Sequence, residues 1–199
     1  MALKYVNMAD ITRAPQGPRP PGPTRATAQD GVEIGVERLD LITHVELLFF
    51  AYRDFTGDPD AVLAQYGFGR AHHRVLHFVH RNPGLRVANL LEILKITKQS
   101  LARVLKQLIG EGFIAQRAGA EDRRERLLYA TLKGTRLAER LTALQVKRVE
   151  AALEAAGPEA EAATKRFLLA MISDEDRSQV EALVRVAAQA DKINEEDRS

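Results

Sequence analysis

The sequence predicts a mainly α-helical chain with one small β-hairpin, and three observations predict it. Apolar residues recur at helical spacing through most of the chain after residue 34. Residues 113–131 instead read as two short apolar runs around a charged turn. Turn residues at Asn82-Pro83-Gly84, Gly110, Gly112 and Gly157-Pro158 cut the helical remainder into pieces of ordinary length.

Composition bounds the chemistry. A chain of 199 residues, 45% of them hydrophobic, supports one sizeable core or two small ones. The longest apolar run near the start, VELLFFAY, is far too short to span a bilayer, and MALKYVNMADI lacks the regions of a secretory signal. A cytoplasmic protein with no membrane partner is expected. Cysteine is absent, which excludes disulfides, thiolate metal sites and cysteine-based redox sensing within this chain. The net charge of +2 hides an asymmetry: Lys95 to Arg126 carries +4, and Gly157 to Ser199 carries −4. A basic middle with an acidic end suits a local anionic partner such as nucleic acid.

Taken in order, residues 1–33 form a Pro-rich N-terminal tail. Residues 13–31 hold five of the eight prolines and almost no large apolar side chain, so disorder is expected. Arg13, Arg19 and Arg25 there are read as solvated, with contact to a phosphate backbone as the alternative. Residues 34–56 form a helix with a broad apolar surface (Leu39, Ile42, Leu47, Phe49, Phe50, Tyr52, Phe55), ended by the turn-rich TGDPD. A second helix runs from about Arg70 to Arg81, stopped because Pro83 disfavours helix at Asn82. A short third helix spans about Val87 to Leu94.

The stretch LEILKITKQSLARVLKQLIGEGFI, residues 91–114, decides between one long helix and two short ones. Ile96-Thr97 interrupts the pattern, and Thr97 is a good N-cap for a new helix. Within 98–109 the apolar stripe is Leu101, Val104, Leu105 and Leu108, and Lys98, Gln99, Ala102, Arg103 and Lys106 lie opposite. Two short helices joined by a tight turn, the second with a basic, acid-free face, make a helix-turn-helix. An ordinary helical hairpin with a solvated basic face fits these residues equally well. The next stretch breaks the tie. Residues 113–117 read as a strand, AGAEDRRER as a turn, and 127–131 as a returning strand. A hairpin directly after the second helix is a wing, with Arg123, Arg124 and Arg126 at its tip. Guanidinium groups there suit phosphates or a narrow minor groove. Asp122 is expected to pair with a neighbouring arginine and fix its direction.

At this point the sequence resembles the MarR family of winged helix-turn-helix regulators, over roughly residues 36–190. The specific part is GFIAQRAGAEDRRERLLYATLKG, similar to the family's wing pattern: Gly112-Phe113-Ile114, then Asp122-x-Arg124, then Thr131-x-x-Gly134. Upstream, NPGLRVANLLEILKITKQSLARVLKQL is similar to the two-helix reading unit, with Arg103 at the usual arginine of its second helix. The chain departs from the pattern at Gln116, where the family often has Arg, and at Ala130, where it often has Leu. The resemblance implies a homodimer on double-stranded DNA bearing a pseudo-palindromic operator, repression more often than activation, and a small-molecule pocket between the dimer interface and the DNA-binding lobes. No cofactor is expected.

The fold class is therefore mainly α with a β-hairpin wing, a winged helix-turn-helix (65–131) plus a helical dimerisation region (34–64 and 132–192), followed by a disordered tail at 193–199. Leu137, Leu141, Leu144, Val149 and Leu153 form a helical stripe, and Ser173 with Asp176 resembles a capping box opening a last helix. Stripes so far from the reading unit must be buried somewhere, and a second copy would cover them. On DNA, Lys98, Gln99, Ser100 and Arg103 face the major groove, where Arg and Gln pair with guanine and adenine edges. Thr97, Lys106 and Arg117 are assigned to phosphate. Arg124, helped by Arg123 or Arg126 and oriented by Asp122, enters the minor groove.

His73, His77 and His80 recur at one helical face and are the candidates for a metal or haem site. Core packing is the preferred reading, because no carboxylate or cysteine on the same helix completes a site. An enzyme built on these histidines lacks support: GFG at 67–69 is not a dinucleotide fingerprint, and no Ser-His-Asp order or metalloprotease motif stands out. A protein-docking winged helix is disfavoured by the basic, acid-free face.

Overall fold

Helices dominate the computed structural model, which describes residues 39–119, 122 and 124–196. The Pro-rich segment 1–33, Arg123 and residues 197–199 lie outside the described residues, and with them the expectations placed there. In order the elements are α1 (Leu39–Leu63), α2 (Arg70–Arg81), β1 (Leu85–Arg86), α3 (Val87–Leu94), α4 (Lys98–Gly110), β2 (Ile114–Ala118), β3 (Arg126–Ala130), α5 (Leu132–Ala156), α6 (Ala160–Ala170) and α7 (Asp174–Glu196). The chain divides into two units, Met1–Leu41 and Ile42–Ser199, and the second holds the core and the sheet.

The first helix does not end at TGDPD. It runs through that segment to Leu63 with Pro59 inside it. Proline removes one helical N–H, which costs stability in a helix interior. Burial beyond it outweighs the cost: Pro59 itself is fully buried, and Val62 and Leu63 enter the core. The polar residues of the segment also find partners. The Thr56 hydroxyl donates to the Tyr52 carbonyl at 2.9 Å. Asp58 pairs with Arg148 of α5 at 2.7 Å, and Asp60 with Arg70 at 2.8 Å.

The core is built from the stripes that periodicity picks out. Leu76 and Val79 of α2, Leu90 and Leu94 of α3, and Leu101, Val104, Leu105 and Leu108 of α4 meet Leu137 and Leu141 of α5. Phe113, Ile114 and Leu128 close it from the sheet. The sheet has the order β1-β3-β2, all antiparallel, with Leu85 opposite Leu128 and Ile114 opposite Ala130. β1 is a finding beyond the expected hairpin; two residues cannot display an alternation. The strands begin and end one residue nearer the turn than expected, with Ala118 opposite Arg126. The Thr131 N–H still reaches the Phe113 carbonyl at 3.0 Å, while its hydroxyl caps α5, accepting from the Gly134 N–H at 3.1 Å.

Ser173 does not form the expected reciprocal box. Its hydroxyl donates to the Asp176 carboxylate at 2.8 Å, and the Asp176 and Arg177 N–H groups bond to its carbonyl. The last helix continues to Glu196, past the expected end at 192.

Candidate nucleic-acid interface

Three local devices set α4 at its angle. Lys95 ends α3 in the left-handed conformation, φ 49°, and its N–H bonds to Leu91 at 2.9 Å. That sharp exit makes the turn between the two helices. Thr97 then caps α4, its side chain accepting the Ser100 N–H at 3.2 Å. At the far end Gly112, φ 75°, reverses the chain, and the Phe113 N–H returns to Leu108 at 2.8 Å. Leu101, Val104, Leu105 and Leu108 are buried, which turns Lys98, Gln99, Arg103 and Lys106 outward together. None of the three cations has an ion-pair partner among the described residues. Ser100 is half-buried, and its hydroxyl accepts from Thr97 at 2.9 Å, so both residues are engaged in the cap.

A histidine missed by sequence reasoning supports α4 from behind. His72 Nδ1 accepts the Gly69 N–H at 3.1 Å. The ring proton therefore sits on Nε2 and is donated to Gln107 Oε1 at 2.9 Å. Gln107 Nε2 passes the chain on to Glu111 at 3.2 Å. His72 also stacks on Phe68, 4.8 Å between centroids. It lies within AHHRVLHFVHR but off the face of the other three, so a search for shared ligation passes it over.

The wing carries Arg117 and Arg124 outward. Arg117 lies over the Tyr129 ring at 4.9 Å. The Asp122 carboxylate accepts the backbone N–H of Arg124 at 2.8 Å. That bond fixes the turn's backbone. Arg126 opens β3 opposite Ala118, the ladder pair nearest the turn, and so stands at the tip end of the hairpin. Glu125 pairs with Arg86 of β1 at 3.1 Å and ties the wing to the sheet's third strand.

His73 is buried, and His77 and His80 are half-buried on the same helix. Among the described residues no group of three metal-donor side chains comes together. His73 and His77 instead line a cavity of about 520 Å³ with Tyr52, Phe55, Arg70 and Phe78. Phe49, at 70% exposure, is not part of it. Burial pushes both imidazoles below their ordinary range. His77 falls to about 4, because burial is joined by the charges of His73, Arg81 and His80.

A capped reading helix with a basic outer face, followed at once by an arginine-bearing wing, defines a winged helix-turn-helix DNA-binding protein. Comparison with known proteins narrows the class. Residues 66–125 match the sequence profile of the MarR family. The HTH-type transcriptional regulator PetP of Rhodobacter capsulatus is 50% identical over 128 residues, which cover 64% of this chain and 77% of that protein. The chain belongs to the MarR family of transcriptional regulators. Among solved structures, the transcriptional regulator SlyA is similar with a TM-score of 0.57 at 21% identity, over 71% of this chain and 99% of that one. FabT of Streptococcus pneumoniae, solved in complex with DNA, is similar with a TM-score of 0.55 at 18% identity, over 65% and 92%. Both share the fold. No described helix is long and apolar enough to cross a membrane.

Proposed function

We propose that this protein is a cytoplasmic, homodimeric repressor that reads a pseudo-palindromic operator and is released by a small ligand. The observation that carries the reading is the outer face of α4, where Lys98, Gln99, Arg103 and Lys106 stand exposed beside no acidic side chain of that helix. Gln99 and Arg103 discriminate bases, and Lys98 assists them. Lys106 and Arg117 hold phosphate, and Arg124 enters the minor groove. Two such faces, one per protomer, match half-sites about one helical turn apart. The 520 Å³ cavity is the place for the ligand, because it joins α1 and α5, which lead to the dimer helices, to α2, which backs α4. Occupancy there shifts α2 and through His72 the reading helix.

Fluorescence anisotropy on DNA from upstream of the protein's own gene, beside a scrambled duplex, tests the reading. A specific regulator binds the first roughly a thousandfold tighter. Equal and steeply salt-dependent binding to promoter sets that include this one would contradict it.

A further inference from the structure

A second cavity, of about 530 Å³, opens where the C-terminal end of α4 meets the start of α5. It is lined by Tyr66, Phe113, Leu132, Lys133, Arg136, Leu137 and Arg140. It shares no lining residue with the first cavity. The spacing 133, 136, 140 puts three cations along one helical face. Arg136 and Arg140 are exposed, and neither has an ion-pair partner among the described residues. Lys133 is differently placed. Its Nζ donates to the Glu111 carbonyl at 2.9 Å and lies 4.1 Å from the centre of the Phe113 ring. It thus satisfies one of the open carbonyls at the end of the reading helix.

We propose that this cavity binds a small organic phosphate carrying a flat ring, a nucleotide-like anion. Three like charges on one wall repel each other until an anion joins them. Paired guanidinium groups match phosphate oxygens better than any other side chains do. Leu132, 68% exposed, and the half-buried Tyr66 ring give the flat body an apolar seat that inorganic phosphate would not use. A DNA backbone offers the same phosphate chemistry, but the cavity is badly placed for it. A reading helix leads with its N-terminal residues. The cavity lies at the other end of a 13-residue helix, about 18 Å along. An anion at the mouth also draws Lys133 from the Glu111 carbonyl, so the last turn of α4 responds to occupancy. Ligand binding here is read without DNA, so this inference stands or falls apart from the function proposed above.

The test is amide NMR of the full chain titrated with adenosine monophosphate, adenosine and inorganic phosphate at near-physiological salt. Saturable shifts at Tyr66, Leu137 and Arg140 with the nucleotide, and weaker ones with either fragment, are expected. The double variant Arg136→Ala, Arg140→Ala should weaken the nucleotide about tenfold or more, since charge-assisted bonds are lost. Arg70→Ala, in the other cavity, should leave it unchanged. Matching spectra away from the site show that each variant is folded. No saturable shift at millimolar nucleotide, or shifts confined to Tyr52, His73 and His77, would overturn the proposal. So would full nucleotide affinity in the double variant. If a random duplex shifts the same amides and the double variant loses duplex affinity, the phosphate is DNA's, and the small-molecule site is wrong.

Discussion

Thr131 and Gly134 do separate jobs in the Thr-x-x-Gly motif. The Thr131 hydroxyl accepts from the Gly134 N–H and donates to the Gly112 carbonyl at 2.7 Å, so one side chain joins the exit of α4 to the start of α5. Gly134 is needed for space: a Cβ there would land on the Phe113 backbone carbonyl. Backbone cannot yield as a side-chain tip can, so Gly134→Ala should cost on the order of 3 kcal/mol, read by urea denaturation. An unchanged midpoint would mean the two segments separate freely. His77 gives a residue-scale pH effect. Its folded pKa, about 4, lies below the unfolded value, so between the two the unfolded chain binds the extra proton. Its contribution is therefore intact above about pH 6.5 and is lost as pH falls toward 4, by up to ~3 kcal/mol. Denaturation at pH 7 and at pH 4.5 should show His77→Gln losing less stability than the parent chain. Parallel losses would place the titration elsewhere.

The proposed function gives helix and wing different parts in recognition. Gln99 and Arg103 stand on the helix face proposed to enter the major groove, and Arg124 on the turn proposed to meet the backbone and minor groove. Gln99→Ala or Arg103→Ala should erode operator preference by about 1–3 kcal/mol with less effect on random DNA. Arg124→Ala should weaken both duplexes alike. Competition anisotropy separates the two patterns, and equal losses for all three variants would contradict the division. This element was legible because its signals are local: a Thr cap, a stripe of four apolar residues, and two glycines at the exit. Other features were illegible for definite reasons. The passage of α1 through Pro59 depends on the core burial of Val62 and Leu63, which no local propensity reports. β1 is two residues long and exists only because Leu128 lies opposite Leu85. His72 draws its role from Gln107, 35 positions away.

At the scale of the whole molecule, the described residues leave much apolar surface exposed. Leu47 and Phe49 of α1 are 60% and 70% exposed, and Leu168 and Met171 of α6 and its C-terminal cap are 51% and 55% exposed. No residue of α6 is buried at all. Such helices fold as amphipathic elements, and their apolar sides stay in water unless something covers them. A second copy offers the same helices in return, which a two-fold interface requires. Sedimentation velocity on a 22.1 kDa chain should accordingly give a dimer mass. Phe49→Glu with Leu168→Glu should give a folded monomer, because both changes place charge on surface exposed within one chain. Function should follow assembly. A monomer keeps one α4 face and one wing, so its DNA affinity should fall to that of a half-site, and its salt dependence should fall by about half, since that slope counts neutralised phosphates. A monomer with the full slope would mean that one chain makes all the phosphate contacts, and the paired-lobe reading would fail even with α4 in the groove.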